Sequence, residues 1–359
     1  MAAIALGLST YACSSDSNPE HTASSAQAVI GGVTSGTDRD AVVFVRQQTD
    51  ATSPWLDCTG TLLSPHILLT ARHCVAAVQG GDFVCTAQGD LQDDGSGNGL
   101  FGALFAPPTL QVYVGGTPAD AVAALGTQIV TTDATSACRD DVALVILDRA
   151  VVVGSYPAVR RRAATVAGET VTVIGYGLGE RTSGLERREV AGVRILDVGA
   201  AAADPAATTP PRTFVVGGDT LCVGDSGGPA IAEDTGALIG LYSRVTGDCF
   251  AVTSRNTFMN IASYGSLLDQ AFAVTGETPR DEEIDAGAAP DAAAPSPPPP
   301  PPPSPATSSP STPADSSSAL PADGCALAVG RRPSDGASAL VLLAFGVLGV
   351  RRSRRVRRA

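Results

Sequence analysis

The chain of 359 residues contains no lysine; its 24 basic residues are all arginine. It also has only three His, one Trp and two Met. Eight of the Arg stand at or beyond Arg331, so residues 1–330 hold 16 Arg against 35 Asp and Glu, a balance of −19. A body this acidic excludes nucleic acid as a partner, because phosphate contacts need clustered positive charge. The scarcity of histidine, with no His, Cys or paired-carboxylate cluster at ligand spacing, argues against a catalytic metal centre, and no cofactor is expected. No apolar run reaches the roughly 20 residues of a membrane-spanning helix. What is present is a 44% apolar content, sufficient for one large core or two small ones, and eight Cys. That many cysteines belong in an oxidising compartment, so the chain is read as exported.

The composition changes in four stages. Residues 1–28 read as leader and propeptide: an apolar start to Tyr11 runs into Ala12-Cys13-Ser14, which resembles a bacterial lipoprotein signal with Cys13 as the lipidated residue. A leader with an incidental Cys is the alternative. From 29 to 274 the text turns to short apolar runs rich in β-branched residues, at 41–45, 111–114, 142–147, 171–174, 192–196 and 237–242, each bounded by Gly, Pro, Asp or Thr. That spacing predicts an all-β domain. Ile261, Tyr264, Leu267 and Leu268 share one helical face and predict a closing helix. Residues 275–324 carry no hydrophobic pattern and include seven consecutive prolines at 297–303, a stiff extended spacer. Residues 325–359 hold Cys325, an apolar run at 337–350 and six Arg in the last nine positions. The run rises only ~21 Å as a helix, short of the ~30 Å hydrocarbon core, so a transmembrane reading needs flanking residues or local thinning of the bilayer, with the six Arg as a cytoplasmic stop. Its order of Cys, apolar segment and Arg cluster resembles the C-terminal sorting signals of myxobacterial surface proteins. That resemblance implies attachment to the bacterial membrane or cell surface, with the segment removed after export.

Three short words carry the chemistry: Thr70-Ala71-Arg72-His73-Cys74, Asp140-Asp141-Val142-Ala143-Leu144 and Gly224-Asp225-Ser226-Gly227-Gly228-Pro229. A serine hydroxyl is a weak nucleophile at neutral pH and needs a base within hydrogen-bond reach, and imidazole titrates in that range. His21 lies in the leader and His66 in a turn, where a solvated or packing role is expected, so His73 remains as the base. In the order His, Asp, Ser, the three words resemble the trypsin/chymotrypsin-like serine proteases over roughly residues 29–273. The resemblance implies two antiparallel six-stranded β-barrels with a C-terminal helix and an active site in the cleft between them. The barrels fall at about 29–149 and 150–274.

By that resemblance Ser226 is the nucleophile, His73 the general base and Asp141 the orienting carboxylate. Asp141 is chosen over Asp140 because an apolar residue and then Ala-Leu follow it. The N–H groups of Gly224 and Ser226 would receive the oxyanion. Val29-Ile30-Gly31-Gly32 resembles the family's mature N-terminus, whose new ammonium pairs with Asp225; an ordinary strand start is the alternative. The resemblance also implies disulfides Cys58–Cys74 and Cys222–Cys249. It places the loops of Cys85 and Cys138 on one side of the cleft, which implies a third. The pocket base falls at Thr220 and Leu221, with Ser243 and Asn256 opposite. That neutral lining favours small or medium uncharged side chains, although Asp219, one residue away, would select Arg or Lys if the loop shifted.

Two departures stand out. Arg244 and Val245 replace the aromatic residue and Gly that usually follow the serine at 243 and pair with substrate. About 36 residues separate Cys74 from Gln111, with Asp90, Asp93, Asp94 and Asn98 among glycines, a solvated loop or a calcium turn. The reading is an exported, surface-anchored, monomeric serine endopeptidase acting on proteins or peptides. The rival is a noncatalytic surface binding module on the same fold.

Overall fold

Strands with an apolar residue at every second position must curl to cover their apolar face, and a closed barrel also removes the exposed edges. The computed structural model describes residues 29–48, 55–80, 83–92, 98–118, 121–177, 185–218 and 220–283. Cys13 with the leader, the spacer beyond 283, the segment from 325 onward, Asp93, Asp94 and Asp219 lie outside the described residues.

The strands in chain order are β1 (Val33–Thr34), β2 (Val42–Gln47), β3 (Leu56–Ser64), β4 (Ile67–Thr70), β5 (Ala76–Val78), β6 (Phe101–Leu104), β7 (Leu110–Tyr113), β8 (Ala124–Thr131) and β9 (Ala143–Leu147). They continue with β10 (Thr170–Gly175), β11 (Arg188–Val198), β12 (Thr213–Gly217), β13 (Pro229–Ala232), β14 (Leu238–Thr246) and β15 (Arg255–Asn260), before helix α1 (Gly265–Thr275). The first barrel closes in the order β2-β3-β4-β9-β8-β7, all antiparallel, with Val45 opposite both Cys58 and Val112. The second closes as β11-β10-β13-β14-β15-β12, and β11 returns to β12 through Ile195 opposite Val216. The fold is therefore the expected pair of six-stranded barrels with a C-terminal helix. Within the insert after His73, β5 and β6 form a separate hairpin.

The two ends of the domain cross over. Val29 is fully buried in the core of the second barrel with Phe214, Tyr242 and Phe258, and β1 pairs with β11. Conversely α1, which follows the last strand of the second barrel, packs on β4, β8 and β9 of the first. It buries Leu267, Leu268, Ala271 and Phe272 there, at about 1.5–3 kcal/mol for each large side chain. Ile261 and Tyr264 are buried too, but on a single 3₁₀ turn before α1. Gly276 ends the helix in a left-handed conformation that favours glycine, its N–H bonded to the Phe272 carbonyl.

Arg187 locks the junction between barrels. It is 0% exposed and donates to Ser35 Oγ, the Val42 and Gly36 carbonyls and Asp40. Tyr176 reaches the Gly115 carbonyl at 2.6 Å, and burial pushes its phenol up to about 12. The residues after Val274, read from sequence as spacer, are fastened to the body through Glu282. Glu277 accepts from Ser64 Oγ at 2.6 Å and sits 2.8 Å from His66 Nδ1, and Arg160 holds Glu282. Val159 N–H donates to the Arg280 carbonyl, and Glu282 N–H to that of Val159.

Candidate active site

His73 sits on a 3₁₀ turn, Arg72–Cys74, directly after β4, and Asp141 just before β9. Since β4 and β9 pair from Thr70 opposite Ala143, the two side chains emerge together at the same end of the barrel. His73 Nδ1 lies 2.7 Å from Asp141 Oδ2, and the His73 backbone N–H donates to Oδ1 at 2.9 Å. Ser243 Oγ donates a third bond to Oδ2 at 2.6 Å. Burial of Asp141 disfavours its charge, yet His73 and these bonds outweigh burial and hold the carboxyl below its usual range. Burial likewise opposes a charged His73, but the carboxylate prevails and the imidazole pKa is raised. Arg244 works against that rise. Asp140 points elsewhere, to Arg212 and the Tyr264 hydroxyl.

The turn bearing Ser226 belongs to the second barrel and is held against β3 of the first. Thr59 N–H donates to the Ser226 carbonyl at 2.8 Å, Thr59 Oγ1 donates to the Gly224 carbonyl at 3.0 Å, and the same Oγ1 accepts from Tyr176 N–H. Thr59 adjoins Cys58, whose disulfide partner Cys74 adjoins His73, and Cys74 Sγ is 3.8 Å from the Ser226 carbonyl oxygen. Gly224 and Gly227 have φ of 92° and 84°, the left-handed region. A Cβ on Gly227 would also fall 2.2 Å from the Thr59 carbonyl oxygen. Gly227 N–H is taken by the Tyr242 carbonyl and Asp225 N–H by that of Cys222, while among the described residues the N–H groups of Gly224 and Ser226 have no protein acceptor.

Asp225 is fully buried. Its Oδ1 accepts from Gly177 N–H at 2.7 Å, and its Oδ2 from Cys222 N–H at 3.0 Å and Val29 N–H at 3.4 Å. Burial pushes the carboxyl up to about 7 even with these three donors. Val29 itself has a positive φ of 44°, costly for a β-branched residue.

All three disulfides form: Cys58–Cys74, Cys222–Cys249 and Cys85–Cys138, with Cα separations of 6.2, 5.3 and 5.4 Å. Cys58, His73 and Cys74 cluster at ligand-like distances, but the two sulfurs are bonded to each other and offer no thiolate. Of the residues read as pocket lining, Asn256 Nδ2 donates to Thr220 Oγ1 and to the Gly217 carbonyl, both at 2.9 Å, which brings Thr220 and Asn256 together. Leu221 and Ser243 are corrections. Leu221 is 1% exposed within the second core, and Ser243 spends its hydroxyl on Asp141. The cause at Ser243 is a bulge: Tyr242 opposes Phe258 and Arg244 opposes Thr257, so Ser243 is the extra residue and is re-aimed. In the insert, Asp90 pairs with Arg139. Thr59 was not foreseen, since a Thr inside an apolar strand carries no sign of the loop it will meet.

A family model described as a trypsin-like peptidase domain matches residues 58–241. Among solved structures, an inactivated protease paralogue of the scabies mite is similar to the chain at 16% identity and a TM-score of 0.48. That likeness covers 68% of this chain and 99% of that one. No curated protein matches.

Proposed function

The chain belongs to the trypsin-like peptidase family, and from that premise we propose that it is a serine endopeptidase working through Ser226, His73 and Asp141. The observation that carries the reading is the convergence of three donors on Asp141, the His73 backbone, its imidazole and Ser243. They fix the ring with Nδ1 on the carboxylate and leave Nε2 for the serine.

In this mechanism Nε2 takes the Ser226 proton as Oγ attacks the peptide carbonyl. The unaccepted N–H groups of Gly224 and Ser226 receive the oxyanion. The proton passes to the departing amine, the acyl group stays on Oγ, and water repeats the sequence to release it. Asp141 stays ionised throughout and stabilises the imidazolium.

The same reading covers activation and location. Asp225, buried with only backbone donors and no cation among the described residues, would receive the Val29 ammonium on cleavage after Ala28. The activating enzyme then accepts a small residue before the cut, and N-terminal sequencing of the active form begins at Val29. Three disulfides suit an exported protein. The leader with Cys13 attaches it to the bacterial surface and the Arg-rich tail directs it there, where protein or peptide is the substrate.

The deciding experiment is labelling of the processed protein with a fluorophosphonate probe, alongside hydrolysis of a casein-type substrate. Labelling at Ser226 and loss of hydrolysis by about 10⁶ in Ser226→Ala are expected. A folded, processed protein that neither labels nor cleaves would leave the binding-module reading in its place.

A further inference from the structure

Side chains alternate between the two faces of a strand, so a one-residue slip in pairing moves those beyond it to the opposite face. Of the four register slips in the second barrel, two set the row of side chains that matters here. At Ser243 the slip leaves Tyr242 in the core opposite Phe258 and turns Arg244 to the face of Thr257. At Leu196 a slip between β11 and β12 leaves Ile195 in the core and turns Asp197 to the face of Val215. A row then crosses four strands: Arg244 opposite Thr257, Thr257 opposite Val215, and Val215 opposite Asp197. Thr246 and Arg255 pair in the next position.

This row lines a cavity of about 430 Å³, and Cys85, Thr86 and Ala87 line it from the insert of the first barrel. The Cys85–Cys138 disulfide holds that second wall in place, and Arg244 Nη1 donates to the Ala137 carbonyl at 3.1 Å. Arg244 on the cavity wall follows Ser243 in the chain and lies 3.4 Å from the Ser243 hydroxyl, which bonds Asp141.

Its charge is unbalanced. Among the described residues Arg255 Nη1 meets only the Ser254 carbonyl, and neither Arg244 nor Arg255 forms an ion pair. Asp197 does not neutralise them. Its carboxylate is taken up by the Thr208 and Thr209 hydroxyls and the Val198 N–H, at 2.6, 2.7 and 2.9 Å. It stands three strand spacings from Arg244, roughly 14 Å along the sheet. Guanidinium groups remain charged at any working pH and present forked donors that suit a carboxylate.

We propose that this cavity is a substrate subsite for an aspartate or glutamate side chain, bound by Arg244 and Arg255 at a position other than the one flanking the scissile bond. The proposal rests on the endopeptidase reading, so its test separates the two. Fluorescent peptides carrying Glu or Gln at each position in turn are bound to the processed Ser226→Ala protein by anisotropy, which requires no chemistry. The same set is hydrolysed by wild-type protein whose active sites are titrated with the fluorophosphonate probe. Glu at one position should improve binding and kcat/KM about tenfold over Gln, and the advantage should shrink as salt is raised. Arg255→Gln should remove most of that advantage and Arg255→Glu should turn it toward Lys. Because Arg255 is exposed, these variants keep the fold should Arg244→Gln fail to express. Equal Glu and Gln at every position, in protein that labels with the probe, overturns the subsite. Absence of labelling overturns the endopeptidase reading instead, and the anisotropy comparison alone then decides the subsite.

Discussion

The Val29 backbone nitrogen and Asp225 Oδ2, 196 residues apart in sequence, lie 3.4 Å apart inside the second barrel. The contact joins the first residue of the domain to the neighbour of Ser226. While Ala28 remains attached, Val29 offers one amide N–H and no charge, and Asp225 titrates at about 7.

That value makes stability depend on pH. The folded pKa lies above the unfolded value of 3.8, so the folded state holds a proton that the unfolded state has lost over that window. The contribution is fully present below about pH 4 and disappears as pH rises through 7, a change on the order of 4 kcal/mol. The uncut chain should therefore lose urea resistance from pH 4 to 7 by this route, and Asp225→Asn should flatten that decline. In the chain cut before Val29 the ammonium compensates the carboxylate and the decline should vanish. Denaturation curves of cut and uncut protein with identical pH dependence would contradict the assignment.

A second prediction concerns the base. Asp141 raises the His73 pKa above 6.5, and catalysis requires His73 unprotonated, so kcat/KM should climb with pH through a midpoint above that of free imidazole. Arg244 holds the midpoint down. Arg244→Gln should move the acidic limb to higher pH without changing the plateau rate on a neutral peptide by more than a few-fold. Asp141→Asn should cost about 10⁴ in kcat, because the ring then adopts the wrong tautomer. An acidic limb unmoved in Arg244→Gln shows that the guanidinium does not sense the imidazole.

What the sequence disclosed, and what it withheld, divides by range of interaction. His73, Asp141 and Ser226 sit in short words whose residue types are dictated by chemistry, and strand positions follow from β-branched runs bounded by turn residues. The seating of the closing helix on the first barrel was hidden, since Leu268 looks equally apolar wherever it packs, whereas the approach of Val29 to Asp225 was legible only through the family resemblance. Leu221 and Ser243 were misplaced for a related reason. Side-chain direction depends on register, and a bulge at Ser243 reverses the face of every following residue without any mark in the residue types. The Cys85–Cys138 bridge was legible only because the family resemblance put both loops at one rim.

Thr59 offers a third test, of positioning rather than chemistry. Its hydroxyl bridges the Gly224 carbonyl and the Tyr176 N–H across the two barrels. Thr59→Val keeps the shape of the side chain and strands both partners in a buried setting, at about 1–3 kcal/mol. Stability should fall by that amount, and kcat should fall with KM little changed, because the oxyanion donors shift relative to His73. Thr59→Ser should restore kcat, whereas equal losses in both variants would mean that the methyl group, and not the hydroxyl, holds the turn.

The last prediction is the side chain accepted before the scissile bond. Asn256 and Thr220 satisfy one another through Nδ2, and Thr220 Oγ1 also lies 3.2 Å from the Gly217 carbonyl, leaving Asn256 Oδ1 buried without a donor among the described residues. Two neutral groups so engaged supply no charge to offset desolvation of a guanidinium or an ammonium, a cost of several kcal/mol. Peptides differing only at this residue should be cut fastest with Ala, Val or Gln and at least tenfold more slowly with Arg or Lys. Thr220→Asp should reverse that order, since it installs a carboxylate at the expected base. Asp219 provides the control. Should wild-type protein cut after Arg fastest and Asp219→Asn abolish that preference, the Asp219 carboxylate occupies the base and the neutral-pocket assignment is wrong.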